Sequence, residues 1–259
     1  MQEGWNPDIY LRYKSYRARP ALDLIQQIPL DVDGPIIDLG CGPGNITRLL
    51  KEKWPDHLVY GVDKSETMLA KAREAFGKSS VNWQQGDITS WRPDEEFALV
   101  FSNAALHWVE NHKQIIPRLM NAITPGGYLA FQIPITEDAP YQVCIRETVF
   151  SEPWRNKLAK AWMYKNPLEP GPLYDLLTPF SKSVDIWVTD YHHVLEGESP
   201  VAEWIMGTGL TPYLAELKDS EKEEFISEYT ARIIDTYPKQ ADGKTLFLMK
   251  RMFAIAQKN

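Results

Sequence analysis

Three aspartates and three glycines define the chemistry open to this chain. Gly40, Gly42 and Gly44 fall within five residues of "IIDLGCGPGNITRLL", where an apolar run gives way to helix-forming spacing. A glycine turn between strand and helix lets a ligand approach the backbone closely, although packing alone can require the same turn. The order is G-x-G-x-G, whereas the dinucleotide fingerprint is G-x-G-x-x-G. Asp38 stands two residues before the first glycine, where a carboxylate would hold a cationic amine and repel a pyrophosphate. Asp63, in "GVDKS", follows at the distance from which an acid accepts both hydroxyls of a ribose, or simply caps the next helix. Asp87, in "QQGDITSW", can reach an adenine edge through its side chain or the next backbone N–H, or else close a turn.

These residues act together only if the fold brings them to one edge. "GPIIDLG", "HLVYGVD", "VNWQQGD", "FALVFSN" and "GGYLAFQIP" read as strands, separated by the helical patterns "NITRLLKEKW", "SETMLAKAREAF" and "KQIIPRLMNAI". Ser65 is the expected N-cap of the second of these helices, and a turn is expected at Pro125 and Gly126. "PALDLIQQI" predicts an opening helix with Pro20 in its first turn. From residue 136 a Pro- and Trp-rich stretch breaks the rhythm, and "SVDIWVTDYHHVL" and "KTLFLMKRMFAIAQ" then supply two long strands with helical segments between them. The alternation predicts an α/β fold, a doubly wound, seven-stranded, mostly parallel Rossmann-like sheet with an α-helical cap. The expected division is a lid and first helix over 1–30, a cofactor core over 31–135, insertion helices over 136–180, a core strand over 181–196, cap helices over 197–243 and the last core strand over 244–259. Such sheets bind ligands beyond the carboxyl ends of their strands at the switch point, and the three aspartates end three successive strands. A ligand with an amine, a ribose and an adenine but no phosphate is S-adenosylmethionine, which leaves S-adenosylhomocysteine as product.

Bulk properties exclude other classes. With 259 residues, 44% hydrophobic and 24% charged, the chain is long enough for a sizeable core. A net charge of −7 argues against nucleic-acid binding. The apolar runs are too short for a membrane span, and "MQEGWNPDIY" lacks the pattern of an export signal, so a cytoplasmic protein is expected. Cys41 and Cys144 have no metal-ligand spacing, so no metal is expected. "LRYKSYRARP" concentrates Arg12, Lys14, Arg17 and Arg19 without an acid, which would attract a small anion or simply form a solvated helix face.

"DLGCGPGN", "GVDKSETML" and "GDITSW" resemble the cofactor motifs of class I S-adenosylmethionine-dependent methyltransferases. "WNPDIYLRY", "FSNAALHWV", "VDIWVTDYHH", "WIMGTGLTPYL" and "RMFAIA" extend the likeness over nearly the whole chain, to the trans-aconitate methyltransferase family, which esterifies one carboxylate of aconitate. The resemblance implies that Asp38, Gly40, Gly42, Gly44 and Asn45 line the methionine part of the cofactor, Asp63 the ribose, and Asp87 with Ile88 the adenine. It places Asn103 beneath the methylsulfonium, with Tyr13, Arg19, Lys64 and Met68 among the cofactor contacts. It implies a small-molecule carboxylate as acceptor, and a monomer or simple oligomer, of which the monomer is the expectation here.

"NAALHW" shares only its asparagine with the Asn/Asp-Pro-Pro-aromatic tetrad of amino-group methyltransferases. Trp108 instead resembles the tryptophan with which small-molecule carboxyl methyltransferases grip the acceptor, and Arg17 matches the place of a second donor. His107, Tyr191, His192 and His193 are further acceptor-side candidates, while Trp108 as core and His107 as a packing histidine are the structural alternatives. A carboxylate is ionised at neutral pH, so no catalytic base is expected and the residues position only. Two features depart from the family pattern: "QIPITEDAPYQ" lacks an Asp-Asn-Trp-like stretch, and Thr211 stands where an arginine is often found. Another small or fatty carboxylic acid, or an acyl-carrier thioester, is the alternative acceptor. A dehydrogenase and a non-catalytic cofactor-binding module are the alternatives of other classes.

Overall fold

The computed structural model describes residues 14–77, 81–162 and 168–259. Helix α1 (Lys14–Gln27) leads into β1 (Ile36–Leu39), α2 (Asn45–Lys53), β2 (Val59–Asp63), α3 (Glu66–Phe76), β3 (Val81–Gln85) and β4 (Phe97–Asn103). A 3-10 turn at Leu106–Trp108, α4 (His112–Asn121) and β5 (Ile123–Ile135) follow. Beyond them lie α5 (Pro140–Phe150), α6 (Arg155–Leu158), α7 (Pro170–Leu177), β6 (Ser181–Leu195), α8 (Pro200–Met206), α9 (Thr211–Leu214), α10 (Asp219–Thr236) and β7 (Thr245–Lys258). The seven strands form one mixed, mostly parallel sheet, as the alternating pattern predicts, and their order is β3-β2-β1-β4-β5-β7-β6.

The order turns around β1. From it the chain winds outward to β2 and β3, then returns to add β4 on its other side. All of β1 is buried, as is β4 from Phe97 to Ser102, because a parallel sheet is covered on both faces. The register brings the carboxyl ends level: Asp38 lies between Gly61 and Phe101, Asp63 pairs with Gln85, and Asn103 with Gln132. The Ser102 hydroxyl donates to the Leu39 carbonyl at 2.8 Å and ties the tops of the two central strands together.

Two local expectations change. Among the described residues helix α1 extends back to Lys14, so Pro20 sits inside it rather than in its first turn. The extra turn is anchored by Tyr16, whose hydroxyl donates to the Val194 carbonyl at 3.1 Å and whose ring meets His193 edge-on at 5.2 Å. These contacts offset the one N–H that proline withholds. Pro125 and Gly126 do not end a separate element; β5 runs through them as a register shift opposite Phe97 and Leu99. Gly126 at φ +80° provides the kink, and Gly127 has no room for a side chain, since a Cβ there would lie 2.7 Å from the Ala98 carbonyl oxygen.

The described chain forms two compact units. One comprises Ala18–Pro134, Asn166–Thr189 and Arg251–Asn259, and holds β1 to β4 with the glycine loop. In it Trp83 is a wedge: a Cβ added to Gly61 would lie 2.5 Å from its ring, and one on Gly44 2.4 Å. The other unit comprises Ile135–Lys165 and Asp190–Lys250 with residues 14–17. Its helices lock through Glu228, which accepts from Trp154 Nε1 at 2.7 Å, Ser151 Oγ at 2.8 Å and Arg232 Nη2 at 3.0 Å. Burial pushes the Glu228 carboxyl up, but those three donors outweigh it and hold it below the usual range.

Because Trp83 is caught between β2, the loop and Phe76, whose ring stacks on it at 6.2 Å, it cannot yield to an added methyl. Gly61→Ala should lower the unfolding free energy by about 1–3 kcal/mol in urea titration, although alanine suits a strand better than glycine.

Candidate active site

Asp38 is the buried centre of the site. It is 1% exposed at the end of β1, and its Oδ2 accepts the Thr47 hydroxyl at 2.7 Å from the first turn of α2. Its Oδ1 is buried and has no hydrogen-bond partner. Burial, together with the charge of Asp63 and against the Thr47 bond, pushes its carboxyl up to about 7. Such an oxygen is complementary to a ligand cation, which would neutralise the buried charge that water cannot reach.

The loop from Leu39 to Gly44 is turned by glycines at φ +77° (Gly40), +55° (Gly42) and +79° (Gly44). Their surroundings assign different duties. A Cβ on Gly40 would lie 2.3 Å from that of Ala105, and one on Gly44 would strike Trp83, whereas Gly42 has nothing within 4 Å. Gly42 is therefore the open face of the cradle. Its N–H donates to Asp63 Oδ2 at 2.9 Å, and the Ser65 N–H donates to Asp63 Oδ1 at 2.8 Å. Asp63 thus spans from the glycine loop to the next turn, each oxygen held in place. It is not the helix cap: Ser65 is, accepting the Met68 N–H at 3.3 Å. Asn45 begins α2 directly after Gly44, Lys64 is exposed, and Met68 is half-buried.

Asp87 does close a turn. Its Oδ1 accepts the Thr89 N–H at 2.8 Å and hydroxyl at 2.6 Å, which holds the carboxyl below the usual range. The neighbouring Ile88 is buried, its Cδ1 3.4 Å from where a Cβ on Gly40 would stand. Turn and glycine loop therefore abut.

At the end of β4, Asn103 Oδ1 accepts from Gln132 Nε2 at 2.6 Å, and the Ala104 N–H donates to the Gln132 carbonyl at 2.9 Å. Ala104 takes φ +52°, a conformation that costs a non-glycine residue about 1 kcal/mol and turns the chain sharply beyond Asn103. The 3-10 turn follows, with His107 and Trp108 adjacent at 4.8 Å between ring centroids. Trp108 is 47% exposed, which removes the reading of it as core. His112 Nε2 donates to the Leu106 carbonyl at 2.9 Å and fixes this turn from α4.

In the other unit, Tyr191 and His193 are both 3% exposed. His193 stacks on Trp204 at 5.1 Å and on Tyr191 at 6.2 Å, and meets Tyr16, whereas His192 is exposed. Arg17 is on α1, but its side chain lies outside the described residues, as does Tyr13 altogether; Arg19 is exposed. Thr211 opens α9. Burial pushes both thiols up, Cys41 further through Asp38 and Asp63, so neither is a nucleophile at neutral pH. Among the described residues no cluster could hold a metal ion and no helix is long and apolar enough to cross a membrane.

The sheet order and the glycine loop flanked by Asp38, Asp63 and Asp87 define a class I S-adenosylmethionine-dependent methyltransferase. Residues 36–127 match the family described as methyltransferase domain. Two solved structures share the fold. Haemonchus contortus phosphoethanolamine N-methyltransferase 2, in complex with S-adenosyl-L-methionine, aligns with TM-score 0.55 at 18% identity over 93% of this chain and 53% of its own. The YcgJ protein of Bacillus subtilis aligns with TM-score 0.57 at 14% identity over 93% of this chain and 99% of its own. A trans-aconitate 2-methyltransferase of Rhodopseudomonas palustris (strain BisB18) is 43% identical over 98% of this chain and 99% of its own, and one from Streptomyces avermitilis 39% identical over 98% and 97%. The chain belongs to the trans-aconitate 2-methyltransferase family. That membership excludes the dehydrogenase reading.

The unpartnered Asp38 oxygen and the open space over Gly42 fit the amine and the close backbone approach that the cofactor requires. Thr47, Gln132, His112 and Arg118 support this arrangement from positions that motif spacing does not mark. The available signals were a glutamine in the apolar strand "YLAFQIP" and an arginine amid the apolar "IIPRLM"; Thr47 and His112 had none.

Asp38 also sets a pH dependence. Its folded value of about 7 lies above the ordinary 3.8, so between these limits the folded protein binds more protons than the unfolded one. Stability should fall as pH rises through that window, by at most about 1.4 kcal/mol per pH unit, and level off above it. Binding of an ammonium group requires the ionised form. Calorimetric affinity for S-adenosylhomocysteine should accordingly rise from pH 5.5 to 7.5 and then flatten, a dependence that Asp38→Asn removes. A wild-type affinity independent of pH would show that no cation meets Asp38.

Proposed function

We propose that this protein transfers the methyl group of S-adenosylmethionine to a carboxylate of a small polycarboxylic acid, with trans-aconitate as the acceptor. The observation that carries this reading is the 43% identity, over 98% of the chain, with a relative named trans-aconitate 2-methyltransferase. The end of β4 agrees with it: the exposed Trp108 carries an indole N–H suited to a carboxylate oxygen, and no Pro-Pro-aromatic tetrad follows Asn103.

The bound cofactor supplies an electrophilic methyl on a positively charged sulfur, and the acceptor supplies an ionised oxygen. Asp38 holds the amine, Gly40, Gly42, Gly44 and Asn45 border the methionine part, Asp63 takes the ribose hydroxyls, and Asp87 with Ile88 meets the adenine. Asn103, with Lys64, Met68, Tyr13 and Arg19, completes the cofactor side. Trp108, His107, Arg17, Tyr191 and His193 are the acceptor-side groups. Alignment and exclusion of water are the contributions asked of these residues, and such positioning is worth roughly 7–11 kcal/mol. We also propose a cytoplasmic location and a monomeric state, the latter of which light scattering checks.

Methyl-labelled cofactor offered with a panel of di- and tricarboxylic acids and long-chain acids should yield base-labile methyl esters of trans-aconitate. Label confined to long-chain acids or to amines would overturn the proposal. Trp108→Phe and Arg17→Ala should each raise the acceptor KM about tenfold or more, the loss of one charged hydrogen bond, with affinity for S-adenosylhomocysteine unchanged. Unaltered kinetics would remove that residue from the site.

A further inference from the structure

The turn after β3 is held by cations, and the cofactor reading alone does not explain why. Arg118 lies on α4 between Pro117 and the buried Leu119, and its Nη2 donates to the Ile88 carbonyl at 2.5 Å. Its Nε is buried without a hydrogen-bond partner, and among the described residues no carboxylate pairs with it. Burial, and then the charge of Arg92, push its pKa down. A half-buried guanidinium next to another cation, with no counter-charge, is an unfavourable arrangement for stability alone.

The bond it makes controls a single peptide. The peptide from Ile88 to Thr89 is planar, so fixing its oxygen fixes its N–H. That N–H donates to Asp87 Oδ1 at 2.8 Å. A positive charge on the oxygen polarises the peptide and strengthens the bond to the carboxylate at its other end. Arg92 Nη1 engages the Ser90 and Trp91 carbonyls at 3.3 and 3.0 Å, and the Asp87 carbonyl accepts the Ser90 and Trp91 N–H groups at 3.0 and 2.7 Å. The carbonyls of residues 87, 88, 90 and 91 are thus all turned toward protein donors. The strong acceptor left to face a ligand is the Asp87 carboxylate, which suits a base carrying an amino group and repels one carrying a carbonyl there.

We propose that Arg118 is a specificity-determining positioning residue: by holding the Ile88 carbonyl it orients Asp87 and selects a 6-amino purine over a 6-oxo purine. This rests on the assignment of Asp87 and Ile88 to the adenine.

The test is calorimetric binding of S-adenosylhomocysteine and S-inosylhomocysteine, which differ at that purine position. The wild type should prefer the adenosyl compound. Arg118→Met should weaken it about tenfold, as for loss of one charged hydrogen bond, while changing the inosyl compound less than about twofold. Arg118→Lys, which keeps a donor, should retain most of the preference. Equal loss of both ligands, or loss of neither, in Arg118→Met overturns the proposal, as does a lysine variant as indiscriminate as the methionine one. Asp87→Asn separates the underlying assignment: if it leaves the wild-type preference intact, the adenine assignment fails as well. If it abolishes the preference while Arg118→Met does not, only the role of Arg118 falls.

Discussion

A carboxylate with one satisfied and one unsatisfied oxygen, buried at the end of the central strand, is the constraint on which this site depends. Asp38 can be there only because Thr47 reaches it from the next helix. Thr47 can reach it only because the chain reverses within six residues through three positive-φ glycines. The same reversal aims the Gly42 N–H at Asp63 and so joins the ends of two neighbouring strands. The remaining oxygen decides the sign of the ligand: a phosphate would add charge to a buried anion, whereas an ammonium removes the cost of desolvation.

Around this centre the protein holds its turns from behind. Helix α4 supports two of them: His112 grips the carbonyl of Leu106 beside Trp108, and Arg118 grips that of Ile88 beside Asp87. Gln132 orients Asn103 by a side-chain bond and holds Ala104 through its backbone carbonyl. In each case a group outside the glycine loop fixes a backbone oxygen or a side-chain amide of the turn, and the other end of that planar unit is fixed with it, because peptides are planar and side-chain amides have distinct donor and acceptor ends. The proposed reaction, between an ionised carboxylate and the methyl group of the cofactor, needs no proton transfer, so rigidity of this kind is the contribution it asks of the chain.

Much of the fold was legible. Apolar runs for β1 and β4, the helical spacing between strands and Ser65 as a cap follow from local preferences that burial reinforces. The starts and ends of elements were less so. Pro20 and the Pro125–Gly126 pair signal breaks, yet α1 and β5 run through them, because distant contacts from Tyr16 and the sheet register outweigh the local cost. Asp87 proved a turn former, its carboxylate held by Thr89, and Trp108, by composition a core residue, is exposed.

The sequence by itself determined the strand and helix pattern, the glycine turn and the negative charge beside it, since these depend on residue type and short spacing. Only the tertiary structure decided which Asp38 oxygen is left open, that Gly42 faces empty space while Gly40 and Gly44 face neighbours, and which carbonyls Arg118 and His112 hold. Those outcomes join residues 6 to 65 positions apart. Parallel strands, which align by register and not by proximity in the chain, bring their ends to one edge, and no local pattern specifies which side chains meet there.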